Sequence, residues 1–169
     1  MMKMMHVVDM MNSRADRVTH VIPDGGSPVT GVTSLGDDVF VVRRDKSEQV
    51  EVYDAVTSTL QRRLSVPGLG CSFGLAVCAS NKCLYAGDIL SNRVHRVKLS
   101  GNNAVTKWSV GREPAGLTVN SAKNVLVVIQ SKRQIQEFTT HGTLLQTIQL
   151  HPDIPVSYTH LTLPTNREV

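Results

Sequence analysis

Apolar residues in this chain fall in short runs and never at helical spacing. DVFVVRR (Asp38–Arg44), KCLYAGD (Lys82–Asp88) and NVLVVIQ (Asn124–Gln130) are nearly continuous apolar segments, the pattern of strands buried on both faces. Each is preceded by a short apolar segment: GVTSL (Gly31–Leu35), FGLAVCAS (Phe73–Ser80) and AGLTVN (Ala115–Asn120). Each is followed by a half-alternating segment: VEVYD (Val50–Asp54), RVHRVKL (Arg93–Leu99) and QIQEFTT (Gln134–Thr140). A fourth, more polar segment then closes each set: LQRRLSV (Leu60–Val66), VTKWSV (Val105–Val110) and LLQTIQL (Leu144–Leu150). Turn residues such as Gly36-Asp37, Ser100-Gly101-Asn102 and His141-Gly142 separate them. No window of helical length carries a 3.6-residue period, so the pattern predicts an all-β chain.

The four-strand unit repeats. Gly31-Val32, Gly74-Leu75 and Gly116-Leu117 are separated by 43 and 42 residues, and Phe40, Leu84 and Leu126 by 44 and 42. Tyr53, Val97 and Phe138 are separated by 44 and 41. A period of roughly 40–45 residues with four strands per period predicts the blades of a β-propeller. The expectation is therefore a partial propeller of three four-stranded blades over 29–150, divided as 29–68, 69–111 and 112–150. One irregularity stands out: Val94 and Val97 on the third strand of the second blade are spaced by an odd number.

Outside this block the pattern stops. Residues 1–28 form an N-terminal segment in which Arg17–Ile22 reads as an outer strand before the turn Pro23-Asp24-Gly25-Gly26. Residues 151–169 have no blade pattern, and Ser157–Val169 resembles translated adapter or vector sequence; the alternative is a disordered C-terminus. Propellers close with roughly 4–8 blades, and repeat units bury their apolar faces only against neighbours. Three blades on their own are thus expected to be marginally stable, aggregation-prone or dependent on self-association. The methionine-rich start, Met1–Asn12, is interrupted by Lys3, His6 and Asp9 and lacks the apolar core of a signal peptide. With three cysteines and no membrane-spanning run, the chain reads as cytoplasmic.

Candidate chemistry is sparse. Cys71, Cys78 and Cys83 match no zinc-ligand spacing and read as structural thiols. The six histidines are scattered, so no metal or cofactor is expected. There is no Gly-x-Ser-x-Gly, and the acids near strand ends, Asp38, Asp54 and Asp88, occupy no single equivalent position. Asp88 reads as a turn residue rather than a metal ligand. Charge is more informative. Residues 29–150 carry fourteen Lys and Arg against nine Asp and Glu. Arg43, Arg44, Arg93, Lys132 and Arg133 lie around the turns between second and third strands, which a propeller places on one face. That makes them candidates for binding a partner or RNA. Neighbouring acids, Asp37, Asp38, Asp45, Glu48 and Asp88, weigh against a strong field, and no aromatic is interleaved there for stacking bases. Arg62-Arg63 on an outer strand read as charges that protect a sheet edge. Trp108, the single tryptophan, reads as cover for a neighbouring strand.

The run from Asp88 to Val97, with Asn92, Arg93, Val94, His95 and Arg96, resembles the core of an NHL repeat: an Asp, a turn, an Asn, a basic residue and an aliphatic strand. Phe73–Val77 and Pro114–Val119 resemble the start of such repeats, and His141-Gly142 sits where the family often has Asp-Gly. The resemblance covers 29–150 and is weakest in the first copy, where Arg44 stands at the Asp88 position. It implies a propeller usually of six blades and a non-catalytic module binding protein partners. In relatives carrying RING, B-box and coiled-coil modules, that module selects ubiquitylation substrates. The alternatives are RNA binding through a basic face and a fragment of a propeller hydrolase or lyase. WD-repeat propellers are the structural rival, but no copy has Trp-Asp or a Gly-His start.

Overall fold

The computed structural model describes residues 26–37, 39–72 and 74–153. The segments 1–25 and 154–169, with the outer strand expected at Arg17–Ile22 and the tail from Ser157, lie outside the described residues. Twelve strands form three four-stranded antiparallel sheets, each an up-and-down meander. The first comprises β1 (Val29–Ser34), β2 (Val39–Arg44), β3 (Gln49–Asp54) and β4 (Leu60–Ser65). The second comprises β5 (Gly74–Cys78), β6 (Cys83–Asp88), β7 (Arg93–Lys98) and β8 (Val105–Ser109). The third comprises β9 (Pro114–Val119), β10 (Val125–Ile129), β11 (Gln134–Phe138) and β12 (Leu144–Gln149), with a single 3-10 turn at Gln130–Lys132. The first strands of adjacent sheets, β1, β5 and β9, pack side by side.

The sheets stack face to face through two apolar seams. Between blades 1 and 2, Val41, Val50, Val52, Leu64 and Val66 meet Leu75, Leu84, Ala86, Val97 and Leu99. Between blades 2 and 3, Ala76, Cys78, Cys83, Tyr85 and Val94 meet Leu117, Val125, Val127, Ile129 and Phe138. Burying each Val or Leu in such a seam contributes roughly 1.5–3 kcal/mol. The odd spacing of Val94 and Val97 follows directly. β7 feeds both seams, so Val94 faces blade 3 and Val97 faces blade 1, as period-2 geometry requires. The continuous apolar run in β6 has the same origin: its alternate residues serve alternate seams.

One landmark of the repeat shifts. Leu75 lies opposite Ala86, and Leu117 lies opposite Val127. Val127 is thus the counterpart of Ala86, and Val125, not Leu126, is the counterpart of Leu84. The path between strand partners in blade 3 is one residue shorter, and one residue changes the face a side chain serves. Val125 is fully buried and Leu126 half-buried.

Trp108 is half-buried over the second seam, edge-on to Tyr85 with ring centroids 6.2 Å apart and tilted against Phe138 at 6.1 Å. Arg62 does more than blunt an edge. Its guanidinium donates to the Leu99 carbonyl at 3.1 Å and straps blade 1 to blade 2.

Candidate interaction face

A four-stranded meander sends its turns to alternate ends. The turns between first and second strands, and between third and fourth, lie at one end. The second-to-third turns and the connections between blades lie at the other. This second end gathers most of the polar structure. At the junction of blades 1 and 2, Asp88 closes β6. Its carboxylate accepts the backbone N–H groups of Leu90 (3.0 Å), Ser91 (3.3 Å) and Gly70 (3.1 Å), and the Ser91 hydroxyl at 2.7 Å. Gly70 belongs to the connection from blade 1, whose Cys71 carbonyl also accepts Ile89 N–H at 2.9 Å. At the next junction, Asn92 accepts Val110 N–H at 3.0 Å and Glu113 N–H at 2.9 Å. The Glu113 carbonyl accepts Gln130 N–H at 3.2 Å, and Ser131 Oγ donates to the Arg112 carbonyl at 3.0 Å. Turn and connection are thereby tied into one continuous surface across blades 2 and 3.

The five basic residues singled out from sequence separate into two groups. Arg43 is fully buried, not on the face, and donates to the carbonyls of Arg44 and Gly70. It lies on the strand between Val42 and Arg44, and the register turns it into the seam with blade 2. Arg44 is also largely enclosed. Its Nε meets Glu51 Oε2 at 2.9 Å and its Nη1 donates to the Ser27 carbonyl at 3.2 Å. Arg93 is half-buried, and Lys132 and Arg133 are exposed. These three share the surface over blades 2 and 3, where Arg133 is steadied by donating to the Pro152 carbonyl. Sequence reasoning missed two residues of this surface. Arg112, exposed in the connection Val110–Glu113, adds a fourth cation, and the alternation of turns in a meander is the signal that places it there. Leu90, in the turn beside Arg93, is 74% exposed and the most exposed large apolar residue described. Glu113 and Asp153 are the exposed acids on the same stretch. Asp37 lies in a turn at the opposite end, and Asp38 lies outside the described residues.

The ionisable groups are mostly consumed in structural bonds. Burial works to raise the Asp88 pKa, but hydrogen bonds from Ser91, Gly70 and Leu90 hold it below the ordinary carboxylate value. Burial also opposes ionisation of Glu51, and bonds from Tyr53 and Arg44 prevail to hold its carboxyl low. Burial pushes the pKa of His95, 1% exposed, below the ordinary histidine value, although Asp88 Oδ2, 3.6 Å from its Nε2, acts to raise it. Asp54 accepts the N–H groups of Val56 and Thr57 at 2.9 and 2.8 Å, in a turn at the end opposite Asp88. Asp54 and Asp88 therefore do not converge on one site. Among the described residues no group of three or more His, Cys, Asp or Glu side chains is placed to hold a metal. Cys78 and Cys83 are buried free thiols, and Cys71 is half-buried. No helix among the described residues is long and apolar enough to cross a membrane.

The sheets, their seams and their side-by-side first strands define three blades of a β-propeller. No family model matches the chain, and neither does any curated protein. Solved structures do. The chain is similar to virginiamycin B lyase from Staphylococcus aureus, in a structure with quinupristin, at 15% identity and a TM-score of 0.63, covering 80% of this chain and 45% of that one. It is similar to the WD40 repeats of RRP9 at 13% identity and a TM-score of 0.66, covering 79% and 42%. It is also similar to a chain of the nidogen/laminin complex at 16% identity and a TM-score of 0.66, covering 78% and 51%. The chain spans roughly half the length of these structures or less. At such identities the likeness is one of fold.

Proposed function

We propose that this chain is a non-catalytic propeller module of the NHL type, presenting a face over blades 2 and 3 to protein partners. The observation that carries the reading is the coincidence of exposed Leu90 with Arg93, Arg112, Lys132 and Arg133 on one hydrogen-bonded surface. An exposed apolar residue at the same end of the blades as four cations suits a protein ligand with an apolar anchor and acidic flanks. Further support comes from Asp54, Asp88 and Glu51, whose oxygens are spent on the fold. Selection of substrates for a ubiquitin ligase is one use such a face would serve in a longer polypeptide. A photo-crosslinking residue at Leu90 is expected to capture partners that the same residue at Asn102, at the opposite end, does not. Equal capture at both positions refutes the reading.

RNA binding is the second reading, favoured by the four cations alone. It draws no support from stacking, because Trp108 is packed over the second seam rather than turned to the face. The third, a hydrolase or lyase, would need a site made by groups other than Asp54 and Asp88.

A further inference from the structure

The sequence spacing of Cys78 and Cys83 conceals a closer relationship. They are each other's cross-strand partners, the last pair of the β5–β6 ladder before the turn Ala79–Lys82. Directly opposed residues of an antiparallel pair have Cα atoms about 4.5–5.5 Å apart, within the ~4.4–6.8 Å that a disulfide spans. Opposed residues also point to the same face, and both thiols belong to the seam with blade 3. Both are free. Cys71 has no such relationship, since it lies in the connection at the other end of the blade.

Both thiols lie beneath the exposed turn that joins their strands. Cys78 Sγ lies 3.3 Å from Ser80 Oγ, and Cys83 Sγ donates to the Asn81 carbonyl at 3.2 Å. Both sulfurs are thus engaged with the turn and not with each other. Cys78 is 5% and Cys83 0% exposed, but the turn over them carries exposed Ala79, Ser80 and Lys82. Local opening of this exposed turn gives small reagents a route to the thiols without unfolding the blade.

We propose that Cys78 and Cys83 form a reversible cross-strand disulfide by exchange with low-molecular-weight disulfides. One thiol, deprotonated, attacks a sulfur of the reagent, forming a mixed disulfide and expelling one thiolate. The second thiol then attacks the protein sulfur of that mixed disulfide and expels the other. Two protein S–H bonds are exchanged for one S–S bond, and the reagent disulfide leaves as two thiols. Closing the bond withdraws both sulfurs from Ser80 and Asn81 and moves two side chains of the blade 2–3 seam. A bond imposed on ladder geometry in this way is the labile, readily reduced kind.

The test is incubation of the folded chain with oxidised and reduced glutathione at graded ratios, followed by alkylation and mass measurement. The expected result is an intact mass lower by two hydrogens before alkylation and one alkylated thiol instead of three after it, restored by dithiothreitol, with a change in Trp108 fluorescence because that ring covers the same seam. Trypsin cuts after Lys82 and puts the two cysteines in separate peptides, so in a Cys71→Ser chain they stay joined only by the proposed bond. Cys78→Ala and Cys83→Ala chains are each expected to lose the internal disulfide and stop at a mixed disulfide. Two results overturn the proposal: oxidation only in denaturant, with both thiols inert in the folded chain, or a bond that uses Cys71.

Discussion

Asp88 holds the backbone N–H of Gly70 at 3.1 Å, and through that bond the turn of one blade grips the connection arriving from the blade before it. The same carboxylate serves Leu90, Ser91 and the Ser91 hydroxyl, so one side chain closes β6 and fixes the junction. Asp88→Ala is expected to leave three buried or half-buried N–H groups unsatisfied and to remove a countercharge near Arg43. The cost is about 3 kcal/mol, read as a lower denaturation midpoint. Asp88→Asn keeps an acceptor and is expected to recover part of the loss. A chain in which Ala and Asn behave alike would show that the hydrogen bonds to the turn do not matter.

His95 sits behind Asp88 and gives the fold a pH dependence. Burial holds its pKa below the ordinary histidine value, with Lys107 and Arg93 acting in the same direction and Asp88 against them. The unfolded chain takes up this proton near about pH 6.5, the native chain only at lower pH. Stability contributed by neutral His95 is therefore present in full above that pH and is lost as pH falls through it. Thermal melts between about pH 7.5 and 5.5 are expected to fall in the parent chain and to flatten in His95→Leu. Parallel curves for the two chains would assign the pH dependence elsewhere.

The arginines separate by depth. Arg43 donates to the Arg44 and Gly70 carbonyls inside the first seam, so Arg43→Met is expected to destabilise by about 3 kcal/mol and to alter binding only through unfolding. Arg93→Glu with Arg133→Glu is expected to shift the melt only modestly, because Arg133 is exposed and Arg93 half-buried. It should weaken any acidic partner, peptide or RNA, and flatten the dependence of affinity on salt. Unchanged binding in that double variant would remove the basic face from the function.

Most of the architecture was legible from residues alone because blade strands write their burial into the sequence. The continuous run Cys83–Asp88 serves two seams at once, and no helix or surface strand leaves that trace. What escaped was set by single-residue offsets and by the third dimension. Leu126 matched the repeat by type, but a hairpin shorter by one residue gave its place to Val125. Arg43 read as a surface cation because charge is normally outside; only the register turns it inward to the Gly70 carbonyl. Arg112 went unremarked because connections between blades lack a repeating spacing. The facing of Cys78 and Cys83 follows from where the hairpin turns, which spacing does not fix.

The turn at His141-Gly142 offers a test of how tightly the second seam is closed. Gly142 has a φ of +92°, and a Cβ built there would lie 2.5 Å from Cδ2 and 2.6 Å from Cγ of the Trp108 indole. Two separate costs attend Gly142→Ala: the left-handed backbone conformation, about 1 kcal/mol for an L-residue, and displacement of an indole wedged against Tyr85 and Phe138, a further 1–3 kcal/mol or so. The two can be separated by a double-mutant cycle. Trp108→Ala removes Cγ, Cδ2 and the rest of the ring at its own cost in burial and keeps only Cβ, 2.9 Å from the built Cβ; in that background Gly142→Ala should lose most of its steric part. A coupling of at least about 1 kcal/mol between the two positions is expected. Additive effects would mean that the turn rides free of the indole, and that Trp108 is held in place by Tyr85 and Phe138 alone.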